Sequence, residues 1–536
     1  MEQLDLQKRL IIALALSFLV FVGSSYFMGE IAPPKVAQES NQSSNNQAPT
    51  VATSKNQAEA PSSTGGVESL APTQEVGTLL TVVSSDISRI SIDQFGRIGQ
   101  IELLEEKYKD DEGNDLKLLN RAGVKPLEIR FSDALLNQEA FRVPYESSVA
   151  QVDFSSAPAK VILTQKLTGL TLTKEITFYA DGHYDLKVTT SKPADFFLTT
   201  GDRPIADTSN YILAKGALIR GVDGVITTIE DGDSIGDETF KNVRFVSAFD
   251  RYYASVLYDL SKGLDVTVST GKNDDPLIFV QGNSEMVIQG YLGPKDYRTL
   301  KSLSPELIDV IEYGWFTFLS KPFFAVIVWI FGFVGNWGWA IILFTLLVKI
   351  ILFPLSYKGM MSMQKLKDLA PKMKDIKAKY GKDPQKMNMK MMEMYKKQGA
   401  NPMGGCLPML LQIPVFFALY RVLLNADELQ GAPWTLWILD LSKMDPYFVL
   451  PLLMGASMYL QQKITPSNIT DPLQEKIFKF FPVIMTVFFV TFPSGLVLYW
   501  LTNNVLSIIQ QYYINHVYEK NKALEIEAHD NKEKES

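Results

Sequence analysis

Six apolar runs constrain this chain more than any other feature: Leu10–Met28, Trp337–Ser356, Leu407–Leu424, Tyr447–Gln462, Ile477–Thr491 and Gly495–Tyr513. A bilayer core about 30 Å thick takes roughly 20 helical residues, and inside it every backbone polar group must find its partner within the segment. Runs of this kind therefore read as membrane-spanning helices. The formal charge of −7 over 536 residues averages over parts of very different character, and the single cysteine, Cys406, excludes an intramolecular disulfide. Any large domain outside the membrane must be stabilised by burial alone.

The first run follows Lys8 and Arg9, and its exit, "GSSYFMGE", carries no small-x-small cleavage signal. Residues 1–30 are accordingly expected to form an uncleaved anchor. Residues 31–75 are Gln, Asn, Ser, Pro and Ala with few large apolar side chains, a flexible linker by composition. The pattern then alternates with period two, as in "KVILTQKLTGLTLTKEITFYADGHYDLKVTTS", around Gly-containing turns. That spacing predicts antiparallel sheet, and residues 76–300 are expected to form one large all-β sandwich. Residues 304–335 start at Ser304-Pro305-Glu306 and are enriched in Trp and Tyr, which predicts an amphipathic helix lying along the outer interface.

Charge sets the topology. Residues 358–402 carry eleven lysines from Lys365 to Lys397, and lysine collects in cytoplasmic loops near membrane ends. One anchor and one span over 336–357 place this segment inside; counting 304–335 as a further span would place it outside. The rest follows by parity: spans over 403–425 and 447–463, an outer loop over 426–446 and an inner loop over 464–475. Two last spans within 476–514 are separated by the turn "FPSG", and a cytoplasmic tail occupies 515–536. The basic segment reads as a helical hairpin broken at "YGKDPQ". Its methionines, among them Met373, Met387 and Met391 beside Lys372 and Lys377, fit either the inner seam of that hairpin or a soft docking surface for varied apolar segments.

Lys349 is the residue that demands an explanation. It lies nine residues before Lys358, about 13 Å of helix, which is near mid-bilayer and a long reach for snorkelling. An ammonium at that depth costs about 2.5 to 3.5 kcal/mol on insertion scales, so it should face protein or water. The proposed spans offer it no carboxylate. They offer neutral polar groups instead: Thr345 one turn back, Gln412 in the next span, and Asn503, Asn504, Ser507 and Gln511 in the last, where Asn504, Ser507 and Gln511 share a helical face. Together these would line a hydrated, positively charged groove; taken singly, each amide is equally suited to hydrogen-bonding between helices. No phosphate-binding GxxxxGK[ST] loop, nucleophile elbow or His/Cys metal cluster appears. The expectation is no catalytic site, no cofactor, no metal and no sequence-specific nucleic-acid binding.

The segments "GNWGWAIILFTLLVKIILFPLS", "NPMGGCLPMLLQIPVFFALY", "DLSKMDPYFVLPLLMGASM" and "FPSGLVLYWLTNN" closely resemble the YidC family of bacterial membrane-protein insertases. The resemblance implies a six-span inner-membrane protein with a five-helix insertase core, a periplasmic β domain and both termini cytoplasmic. It further implies nascent membrane proteins as substrates, alone or beside the Sec translocon, and marks Thr345, Tyr499 and Trp500 as substrate contacts. An aromatic belt at the membrane interface is the alternative for Trp500. In that family the groove charge is commonly Arg; here Lys349 stands at the matching position, keeping the charge without the planar donor fork. The tail "KNKALEIEAHDNKEKES" is mixed in charge where relatives often carry a basic one, so contact with ribosomes, or with anionic lipid headgroups, is expected of the lysine-rich hairpin instead. A secondary transporter or channel using Lys349 is the rival reading, and a β-domain receptor with a membrane anchor is a third.

Overall fold

The computed structural model describes residues 77–110, 112–207, 214–381, 383–397, 407–465 and 472–535. The expected anchor over 1–30 and linker over 31–75 lie outside the described residues, as do 398–406 and 466–471.

Strands run from Leu79 to Pro294. The long hairpin Ala159–Leu167 with Leu170–Phe178 shows why: apolar residues at every second position turn inward along both strands, and Leu167 pairs with Leu170 across a tight turn at Gly169. Gly169 sits at φ 77°, where a Cβ would be strained. Two sheets result, one of five strands and one of thirteen. The five-stranded sheet runs in the order Leu116–Lys117, Ile98–Leu103, Ser88–Asp93, Leu79–Ser84, Gln151–Asp153, with the last strand parallel to its neighbour. Residues of both sheets, such as Ile92 and Ile101 from one and Leu172, Ile176 and Val266 from the other, share a single apolar core. The expected sandwich is thus a sheet pair, with one short helix, α1 (Ala134–Ala140), beside it.

Past the sheets come α2 (Tyr297–Leu303) and a 3-10 stretch, Pro305–Val310, capped by the Ser304 hydroxyl. The Ser-Pro-Glu signal does start a helical segment, but it ends at Val310, where Ile311 turns to extended backbone. The helix proper is α3 (Thr317–Val334). It is not amphipathic as expected. Ser320, Phe324, Ile327 and Ile330 are buried, yet the opposite face carries Phe318, Trp329 and Phe333, 74%, 63% and 74% exposed. Its polar residues, Thr317, Ser320 and Lys321, sit in its first turn or so, so no polar stripe runs along it.

Gly335 in the left-handed conformation ends α3, and Asn336 caps α4 (Trp337–Asp368) by accepting from the Trp339 N–H at 3.1 Å. At 32 residues α4 is about 48 Å long, and it runs well past the boundary expected at 357. The sequence from Tyr357 to Asp368 is Lys- and Met-rich, with one glycine and no proline to stop it. The basic pair follows: α5 (Ala370–Tyr380) and α6 (Pro384–Lys397), separated at Gly381 as the sequence suggests. Leu366 and Leu369 pack on Met394 and Tyr395, and the Tyr395 hydroxyl reaches the Met373 sulfur at 3.5 Å. Met387 is buried and Met373 and Met391 are half-buried, whereas Met389 and Met392 are exposed. Four helices complete the described residues: α7 (Leu407–Asn425), α8 (Val449–Ile464), α9 (Pro472–Phe489) and α10 (Ser494–Glu535). The last is one continuous helix through the tail, because no proline or glycine follows Gly495.

Candidate functional site

A half-open cavity of about 390 Å³ lies among α4, α7, α8, α9 and α10. Thr345 and Lys349 reach it from α4, Gln412 from α7, and Tyr499, Trp500, Asn503, Asn504, Ser507 and Gln511 from α10. All nine groove residues selected from the sequence therefore meet on one wall system. The spacing explains the convergence: on α4 residues 345, 349, 352, 356, 360 and 363 line the cavity in steps of three and four that keep one helical face, with Val348 beside Lys349.

Polarity within the cavity is neutral apart from one charge. The Lys349 ammonium donates to the Ser507 hydroxyl at 2.7 Å, and that hydroxyl donates onward to the Asn503 carbonyl at 2.8 Å. No Asp or Glu is among the lining residues. An ammonium has three protons to donate, so Lys349 keeps donor capacity beyond Ser507, and its charge is not cancelled within the wall. Thr345 is buried and its hydroxyl returns to the Ile341 carbonyl at 2.7 Å. Asn504 donates to Ser457 on α8 at 3.1 Å, and Gln511 to Asn515 at 2.6 Å. Asn504 thus ties α10 to α8, whereas the Gln511 bond stays within α10, and both residues line the cavity.

The aromatic pair divides. Tyr499 is buried at 3% exposure, with Gln412 at its hydroxyl. Trp500 packs edge-on to Phe416 at 4.7 Å and against Phe489 at 4.9 Å, joining α7, α9 and α10 at one end of the cavity. Met373, Met387, Met391, Lys372 and Lys377 lie on α5 and α6 and do not line the cavity.

Sequence reasoning missed Ser356, Met360, Met363, Gln461 and Gln510 on the same walls. The α4 members were recoverable by extending the stripe from Lys349 in steps of three and four. Gln510 is 8% exposed, and among the described residues its Nε2 has no partner, although it follows Ser507 by one turn. Among the described residues no group of three His, Cys, Asp or Glu stands ready to hold a metal ion.

Residues 329–522 match the family model described as 60Kd inner membrane protein, and residues 247–326 match the one described as YidC periplasmic domain. A protein of Wolinella succinogenes named membrane protein insertase YidC is 49% identical, over 97% of each chain. Proteins of the same name from Campylobacter jejuni and Helicobacter pylori are 48% and 46% identical, each over 96% of this chain and 97% of the relative.

Proposed function

The chain belongs to the YidC family of membrane-protein insertases, and on that premise we propose that hydrophobic segments of nascent inner-membrane proteins enter the bilayer through the cavity at Lys349. It is an inner-membrane insertase with a periplasmic domain. The carrying observation is that one cation, Lys349, and a set of neutral polar groups on α4, α7 and α10 converge on a cavity with no carboxylate on its wall. Such a wall lowers the barrier for a polar or acidic flank of the cargo, while transfer of the cargo's apolar segment into lipid supplies the driving force. Cation coupling by a transporter calls for the opposite charge. The substrate contacts are Lys349, Thr345, Gln412, Asn503, Asn504, Ser507, Gln511, Tyr499 and Trp500.

The topology that serves this function has six spans: an anchor over 1–30, then α4, α7, α8, α9 and α10. Both termini and the α5–α6 hairpin are cytoplasmic, and the β domain is periplasmic. In this reading α3 lies along the outer interface. Its support is where α3 touches its neighbours: Phe331 stacks on Trp337 and Phe323 meets Phe344, both in the first turns of α4, and Ser320 donates to the Ala418 carbonyl toward the end of α7. The hairpin presents Lys372 and Lys377 to the solvent, where ribosomes or anionic headgroups are met, and the chain works alone or beside the Sec translocon.

Site-specific photocrosslinking from Thr345 and Gln511 to an arrested nascent membrane protein tests the proposal. Crosslinks from both positions that vanish when the chain is released are expected. Crosslinks that appear only at lipid-facing Ile350, 61% exposed, would place the route elsewhere.

A further inference from the structure

The β domain grips the helices at residues 424–430, just where α7 ends. Arg251 donates through Nε to the Leu424 carbonyl at 2.7 Å. The Tyr108 hydroxyl donates to Asp427 Oδ2 at 2.6 Å, with the Lys107 ammonium 3.5 Å from the same oxygen. The Tyr297 N–H donates to Glu428 at 2.8 Å, and the Tyr253 hydroxyl to Gln430 at 3.1 Å. In these bonds the β-domain side gives the proton and the end of α7 or the stretch beyond it accepts, while Asn425 donates out of the same stretch to the Glu312 carbonyl at 2.6 Å. Asp427 is fully buried, and Arg251 and Tyr253 are 2% and 1% exposed.

The direction has a physical origin. The last carbonyls of a helix lack intrahelical partners, and their end carries the negative pole of the helix dipole, so a buried guanidinium from another domain is the complement they require. Asp427 is held by two hydroxyl and amide donors, Tyr108 and Gln430 Nε2 at 2.7 Å, together with Lys107. Burial raises the Asp427 carboxyl to about 6, with Lys107 and the Tyr108 hydrogen bond opposing. Near neutral pH it is therefore still the acceptor this geometry needs. Leu424 lies eight residues beyond Phe416, which lines the cavity with Gln412 and Val415, and about 12 Å of helix connects them.

We infer that Arg251 and Asp427 are positioning residues through which the β domain fixes the α7 wall of the cavity. The inference rests on the cavity reading above. A β domain carried as a passive appendage needs no desolvated set of donors aimed at the end of a cavity helix.

The test uses the full chain in vesicles of phosphatidylethanolamine and phosphatidylglycerol, with two readouts: amide exchange of 424–430, and photocrosslinking from Gln412 to an arrested nascent membrane protein. Loss of one desolvated, charge-assisted hydrogen bond shifts a docking equilibrium by about tenfold. Arg251→Met should therefore raise exchange by about that factor and lower the Gln412 crosslink several-fold, while crosslinks from Asn503 on α10 persist. Arg251→Lys, which keeps a donor, should recover part of both. If Arg251→Met loses the β signal in circular dichroism, Tyr108→Phe, lacking only a hydroxyl, decides on the same readouts. Exchange at the parental level, or raised exchange with an unchanged Gln412 crosslink, overturns this inference alone. No crosslink from the parent chain overturns the cavity reading and this inference with it.

Discussion

Replacing Lys349 by Met removes the one cationic group on the cavity wall while keeping a side chain of similar length. Two consequences of opposite sign follow. A flank carboxylate about 5 Å from the ammonium gains about 3 kcal/mol at an effective dielectric near 20. Lys349 is only half-buried, and water on the open side cuts that gain to about 1.5 kcal/mol, close to tenfold in occupancy. The folded protein, in contrast, is relieved of an ammonium that costs about 2.5 to 3.5 kcal/mol at depth, less about 1 kcal/mol for the lost bond to Ser507. Lys349→Met should therefore melt higher than the parent. It should insert a cargo with an acidic translocated flank about tenfold more slowly, and the same cargo with Asp changed to Asn within about twofold of the parent rate. Lys349→Arg should retain both rates. The assay is protease protection of newly made cargo in proteoliposomes containing the purified chain. Equal loss for both cargoes, or none for either, would refute the electrostatic argument.

Other consequences concern packing and pH. Burial lowers Lys174 in the β domain to about 7, with Asp93 and Glu128 opposing. Its folded pKa thus lies below the unfolded value, so charging it costs the folded state below about 7, and the cost is relieved as pH rises from there toward 10.4. Calorimetry should show the β-domain melting temperature of Lys174→Met, relative to the parent, rising as pH falls from 8 to 6; a pH-independent difference would contradict the burial argument. Gly455 faces Thr486 so closely that an added Cβ must displace it, so Gly455→Val should cost about 1 to 3 kcal/mol by forcing α8 and α9 apart, measured by thermal unfolding in detergent. If α3 lies at the outer interface, fluorescence of Trp329 in a background without the other tryptophans should be quenched by bromine near the headgroups. Strongest quenching by bromine at the acyl ends would make α3 a span.

The parts legible in the sequence were those governed by local periodicity. Alternation gave the hairpin from Ala159 to Phe178, and steps of three and four along α4 and α10 put Lys349, Asn504, Ser507 and Gln511 on facing surfaces. Lengths were harder, because a helix ends where a stop signal stands and not where the bilayer does. Hence α4 continues to Asp368 and α10 through the tail. The missing polar stripe on α3 was harder to foresee, because Trp and Tyr suggest an interface whether or not a polar face accompanies them. The link between Tyr108 and Asp427 joins residues 319 positions apart, and no local pattern encodes a partner at that distance.

Water in the cavity is the claim on which the account stands. With Cys406 changed to Ser, cysteines placed at Ser507, Gln511 and lipid-facing Ile350 can be challenged in inside-out membrane vesicles with a membrane-impermeant maleimide. The account predicts labelling at 507 and 511, slowed when an arrested nascent chain is bound, and none at 350. Labelling at 507 and 511 as slow as at 350 would contradict it.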